Sequence, residues 1–155
     1  MRVIHLSRRR MALLSLSLGM VIGSALLLAG CFGGGAAPET VIAATAEERV
    51  AYLEGFGWQV TPQPIETLDL HIPEVLEGEW ADYAALQKEQ GLPFSDFTAQ
   101  AVKRYTYTVT NYPGIPQGVQ ANLYLHADQI IGGDIIVTGQ GGFQTGLTFP
   151  QQSSV

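Results

Sequence analysis

The chain holds one cysteine, Cys31, and three histidines among its 155 residues. A lone thiol excludes an intramolecular disulfide framework and a zinc knuckle built on cysteine pairs. No His-x-x-x-His pair occurs, nor a run of Asp or Asn at the alternate positions a calcium loop needs. Basic residues are scarce, with eight Lys+Arg against fourteen Asp+Glu and 14% charged residues in all, where ~25% is usual. A nucleic-acid binder needs a basic footprint, so the composition excludes that class. The few bases are also unevenly placed. Arg2, Arg8, Arg9 and Arg10 precede position 11, and the first acid is Glu39. Without the first thirty residues the chain carries four basic and fourteen acidic residues, a net charge of −10.

What is present at the N-terminus is a processing pattern. Arg8-Arg9-Arg10 is followed by Met11–Leu28, which has no charge, and then by Ala29-Gly30-Cys31. A basic stretch, an apolar stretch and small residues at a cleavage point describe an export signal. Leu28-Ala29-Gly30-Cys31 resembles the lipobox of bacterial lipoprotein precursors. That resemblance implies diacylglycerol on Cys31, cleavage between Gly30 and Cys31, and attachment of the mature chain to the outer side of the cell membrane. Met11–Gly30 is also twenty residues long, about 30 Å of helix, the length of an uncleaved anchor. Either reading places the remainder outside the cytoplasm, because the arginines stay inside.

The expected organisation is a signal peptide over 1–30, the lipidated cysteine and a Gly/Ala-rich tether over 31–45, one domain over 46–149 and a disordered tail over 150–155. Thr45-Ala46-Glu47-Glu48 has the capping-box form and opens a helix whose apolar positions are Ala46, Val50 and Leu53. Leu68, Leu70 and Ile72 alternate with Thr67, Asp69 and His71, which predicts a strand. A second helix is expected over about Glu74–Gln90, interrupted near Gly78. Strands then follow over Arg104–Thr110, Ala121–His126 and Ile130–Thr138. This order predicts an α+β fold of two layers, with one antiparallel sheet of about four strands and two helices packed on one face. Tyr107 and Leu123 fall on the apolar phases of neighbouring strands and are expected in the core.

The last hairpin fixes which residues meet. A three-residue loop, Ala127-Asp128-Gln129, pairs Leu125 with Ile131, Tyr124 with Gly132, Leu123 with Gly133 and Asn122 with Asp134. A two-residue loop turns Asp134 toward the core unless a bulge resets the phase. The longer loop leaves Arg104, Thr106, Asn122, Tyr124 and Asp134 together on a partly solvated face, with Arg104 placed to pair with Asp134. These five residues form the candidate binding face. Gly132-Gly133 lacks the strand–turn–helix context of a phosphate loop and instead predicts close approach of another group, such as the Tyr124 ring.

Gly57-Trp58, Lys103–Tyr107, Asn111-Tyr112-Pro113, Ala121-Asn122-Leu123 and Ile131-Gly132-Gly133-Asp134 resemble a domain-of-unknown-function family of small exported lipoproteins from Gram-positive, clostridia-like bacteria. The likeness covers roughly residues 47–147. The family pattern has glycine where Asp128 stands. The resemblance implies lipoprotein character and the limits of the domain, and no activity.

No catalytic residue, metal site or cofactor emerges. Ser95, Ser153 and Ser154 sit in no nucleophile elbow, and most acids lie on helix faces and ends. The expectation is a lipid-anchored, extracytoplasmic, non-enzymatic interaction domain. It would touch the membrane through Cys31 and meet an unknown protein, peptide or cell-wall partner. An envelope enzyme using acids such as Asp134, or a small-ligand carrier, are the alternatives.

Overall fold

The computed structural model describes residues 40–151. The helix α1 spans Ala46–Glu54, β1 Glu66–His71, α2 Glu79–Glu89, β2 Ala101–Thr108, β3 Val119–His126, β4 Gln129–Val137 and β5 Phe143–Thr145. A 3-10 turn, Phe94–Phe97, lies between α2 and β2. The strands form one antiparallel sheet in the order β1-β2-β3-β4-β5, so every strand pairs with its sequence neighbour. The protein is therefore α+β, with five strands in the sheet where about four were expected. The additional strand arises because Gly139 and Gly141 take positive φ (110° and 78°) and return the chain onto β4.

The cap of α1 is built as its sequence predicts. Glu48 N–H donates to Thr45 Oγ1 (3.2 Å) and Thr45 N–H donates to a Glu48 carboxylate oxygen (2.9 Å). The inward residues of α1 are Leu53 and, unexpectedly, Arg49. The Arg49 guanidinium lies 3.8 Å from the centre of the Tyr105 ring. It donates to the Tyr107 hydroxyl (3.0 Å) and to the carbonyls of Ala43 (3.1 Å) and Ala44 (2.9 Å). Those bonds tie the segment before α1 to the sheet. Ala43 N–H donates to Asp128 C=O and Ile130 N–H to Val41 C=O, both at 2.8 Å. Val41–Ala43, ahead of the expected start at Ala46, thus already belong to the sheet, because these residues add a short pairing to the first end of β4.

The two helices cover opposite faces of the sheet, which corrects the expectation of two helices on one face. Leu53 of α1 clusters with Trp58, Tyr107, Ala121, Leu123, Leu125 and Ile135. Tyr83 and Ala84 of α2 cluster with Ile72, Phe94, Val102 and Ile131, with Tyr124 packed against them. Tyr107 and Leu123 are fully buried, as their strand phase requires. The helix α2 starts at Gly78 (φ 55°), so the interruption foreseen near that glycine is the helix start, and Pro73–Gly78 is a loop.

The β3–β4 hairpin has a loop of two residues, not three. His126 pairs with Gln129, and Ala127 and Asp128 both take positive φ (44° and 69°), as a tight hairpin of this twist demands. A bulge between Tyr124 and Leu125 then leaves Ile131 as the extra residue, and the pairs Tyr124–Gly132, Leu123–Gly133 and Asn122–Asp134 form as predicted. Leu125 pairs with Ile130, and Ile131 turns to the α2 face. One shift cancels the other, so the register survives a wrong loop length.

Candidate functional site

The α2 face carries the predicted polar set. Thr106, Asn122 and Asp134 stand in one row across β2, β3 and β4, because Thr106 pairs with Asn122 and Asn122 with Asp134. The Thr106 hydroxyl donates to Asn122 Oδ1 (2.7 Å), and Asn122 Nδ2 donates to Asp134 Oδ2 (3.3 Å). Two further donors come from outside this row. Tyr83 of α2 donates its hydroxyl to Asp134 Oδ1 (3.0 Å), and Gln144 of β5 donates Nε2 to Asp134 Oδ2 (2.9 Å). One carboxylate therefore fastens α2 and β5 to the middle of the sheet.

This face is covered, where sequence reasoning expected partial solvation. Thr106, Asn122 and Asp134 are 3%, 2% and 0% exposed. Burial pushes the Asp134 carboxyl above the usual carboxylate range, against the opposing pull of bonds from Gln144, Asn122 and Tyr83 and of the Arg104 charge. Burial, followed by the charge of Asp134, raises Tyr83 well above an ordinary tyrosine, and Tyr124 also moves up for these two reasons. Arg104 does not pair with Asp134. Its Nη2 contacts Glu66 at the sheet edge (2.5 Å), because Leu68 is its cross-strand neighbour and Glu66 lies two residues along the same face. Tyr124 is half-buried between the rings of Tyr83 and Phe94.

The sequence reading missed Tyr83, Gln87, Gln90 and Gln144 as parts of this seam. Beyond β5, the edge of β4 has no strand partner near Gly133 among the described residues, and glutamine side chains replace one. Gly133 N–H donates to Gln87 Oε1 (2.8 Å), Gln90 Nε2 donates to Gly133 C=O (3.0 Å), and Leu147 N–H donates to Gln90 Oε1 (2.6 Å). The signal was the glycine pair. A Cβ at Gly132 would stand 3.1 Å from the Phe94 ring, and one at Gly133 only 2.7 Å from Leu147 Cδ1. Close approach was correctly expected at Gly132, but the ring that fills the space belongs to Phe94 rather than Tyr124.

Chemically, the Asp134 carboxylate is matched by three donors, from Tyr83, Asn122 and Gln144, while beside it Gln87 Nε2 is buried without a partner among the described residues. Gly30 and Cys31 lie outside the described residues. Among those residues no group of three His, Cys, Asp or Glu side chains is placed to hold a metal ion, and no helix is long and apolar enough to cross a membrane. Two other features stay open to a ligand. A cavity of about 350 Å³ lies at the turn end of β1–β3 and is lined by Asp69, Lys103, Tyr105, Leu125, Ala127 and Asp128 among others. Beside it, β1 forms the outer edge of the sheet, and every one of its residues except Leu70 is exposed.

Residues 52–135, from the last turn of α1 to the middle of β4, match the family described as Domain of unknown function (DUF4830). The chain belongs to that family. The DUF4830 match takes in β1, α2, β2 and β3 whole, together with Asp134, Asn122, Thr106 and Tyr83, and stops before Gln144. No curated protein and no solved structure matches the chain.

Proposed function

We propose that this DUF4830 chain is a lipid-anchored, extracytoplasmic lipoprotein whose domain works by binding rather than by catalysis. The order Leu28-Ala29-Gly30-Cys31 behind a basic and then an apolar run supports the anchor, as does the placing of the only cysteine at that point. Val41, which pairs with β4, lies ten residues beyond Cys31. An extended chain of that length reaches about 33–36 Å, so the domain stays near the membrane. Its acidic balance keeps it off an anionic lipid surface, and the acyl chains do the holding.

One observation carries the binding reading. The acid best suited to proton transfer, Asp134, is sealed and saturated with donors, whereas the edge of β1 is open. The partner on this reading is a protein, a peptide or a cell-wall polymer, with no cofactor and no nucleic acid. Two measurements test it together. Cys31→Ser abolishes fatty-acid labelling and leaves an unprocessed precursor, while a photo-crosslinker at exposed Thr67 captures a partner on intact cells and one at exposed Glu47 of α1 does not. Labelling that persists in the Cys31 variant overturns the anchor. A hydrolytic activity lost in Asp134→Asn overturns the binding role.

A further inference from the structure

The open edge of β1 suggests what it binds. Among the described residues, the backbone of β1 pairs with β2 alone, on one side. The opposite edge of the sheet is occupied by Val41–Ala43, by the Gln90 amide and by β5. The two faces of β1 differ in chemistry. Thr67, Asp69 and His71 point to the α1 face, where Asp69 borders the cavity floored by Tyr105 and Leu125. Leu68 points to the α2 face and is 39% exposed, Ile65 (54%) lies just before the strand, and Val75 (65%) lies in the loop four residues after it.

Charge selects among partners for such an edge. Between Val50 and Gln87 the chain has seven acids and no Lys or Arg. Among the described residues, the cations beside β1 belong to β2, and each is already matched to a β1 acid, Lys103 to Asp69 at 3.2 Å and Arg104 to Glu66. The Asp69 side chain is 84% exposed and that of Lys103 50%, so their pair is a weak surface contact that an incoming cation replaces at little cost. Protected edges commonly carry lysine or proline, and β1 carries neither. A second copy of this acidic chain would meet like charge at the edge.

We infer that β1 takes up an extended segment of a basic protein partner as a sixth strand. Lys or Arg side chains lie over Asp69 with their stems toward the Tyr105–Leu125 cavity, and aliphatic side chains lie against Leu68. Backbone pairing provides affinity and the two faces provide selectivity. This inference rests on the binding reading above and names the partner's chemistry.

The test uses the full chain in non-ionic detergent and fluorescein-labelled peptides of about six residues, the length of β1. In one peptide lysine alternates with valine, and in the others glutamate or threonine replaces lysine. Anisotropy reports affinity, and hydrogen exchange across Glu66–His71 reports location. The lysine peptide is expected to bind and protect β1, with affinity falling about tenfold in Asp69→Lys and steeply with salt. Equal binding of the threonine or glutamate peptide, with β1 protected, overturns the basic partner and leaves the binding reading standing. Protection of β1 that rises with protein concentration alone identifies a second copy as the occupant and overturns the inference. Absence of β1 protection with every peptide overturns strand addition itself, while capture of a partner from Thr67 on cells tests the binding reading separately.

Discussion

The Tyr83 hydroxyl donates to Asp134 Oδ1 at 3.0 Å, across 51 residues of sequence and from one layer of the fold to the next. It is the contact through which α2 covers the polar row of the sheet. Removing either partner has different consequences. Asp134→Ala leaves the donors of Tyr83, Asn122 and Gln144 facing nothing, at about 1–3 kcal/mol for each one that water does not reach. Tyr83→Phe removes one bond and costs about 1–2 kcal/mol. Asp134→Asn keeps an oxygen toward Asn122 and Gln144 and places its NH2 against a tyrosine oxygen able to accept, so it costs less than either. Urea midpoints are expected to fall in that order, with Asp134→Ala lowest.

The pH dependence of stability has a definite sign. Burial raises the carboxyl of Asp134 in the folded state, so folding favours its protonated form. The stabilisation linked to this group is complete below the ordinary carboxylate pKa of about 3.9 and is lost as pH rises through the higher folded value. Asp134→Asn does not titrate. Denaturant unfolding of both proteins from acid to neutral pH is therefore expected to show the wild type losing ground to Asp134→Asn as pH rises. A difference that grows in the opposite direction would mean that the three donors and Arg104 outweigh burial.

Gly133 and Leu147 are coupled through space. A methyl group at Gly133 would stand 2.7 Å from Leu147 Cδ1 and 3.1 Å from Leu123 Cδ2, and both leucines are fully buried. Gly133→Ala is expected to cost about 1–3 kcal/mol through overpacking, and Leu147→Ala about 2–5 kcal/mol through a cavity. The double variant is expected to lose less than the sum, because each change relieves the other. Additive losses in thermal or urea unfolding would place the strain in the β4 backbone instead.

The hairpin loop holds a correctable strain. Ala127 sits at φ 44°, where an L-residue with a Cβ pays roughly 1–2 kcal/mol. Its side chain is exposed. Ala127→Gly is expected to raise stability by about 0.5–1 kcal/mol after the entropy that glycine costs the unfolded chain. A higher midpoint with an unchanged denaturant slope checks it.

Much of this arrangement is written locally. The capping box at Thr45–Glu48 and the apolar phases that bury Tyr107 and Leu123 follow from helix and strand periods within a few residues of each position. The Leu-Ala-Gly-Cys motif at Cys31 is likewise a property of neighbouring residues. The length of the β3–β4 loop was not legible, because a shorter loop with a bulge at Ile131 and a longer loop without one give the same register beyond Gly132.

The polar row itself, Thr106, Asn122 and Asp134, was placed on one face by alternation alone, since strand side chains repeat every second residue. Whether that face meets water is decided elsewhere. It depends on Tyr83 and Gln87 arriving from α2 and Gln144 from β5, none of which has a period that relates it to β4. Periodicity determines which side chains share a surface, and only the path of the chain between distant elements determines what lies on top of it. That is why the sequence by itself placed Asp134 in one row with Asn122 and Thr106, while the tertiary structure decided that this residue is a buried clasp and left β1 as the open edge.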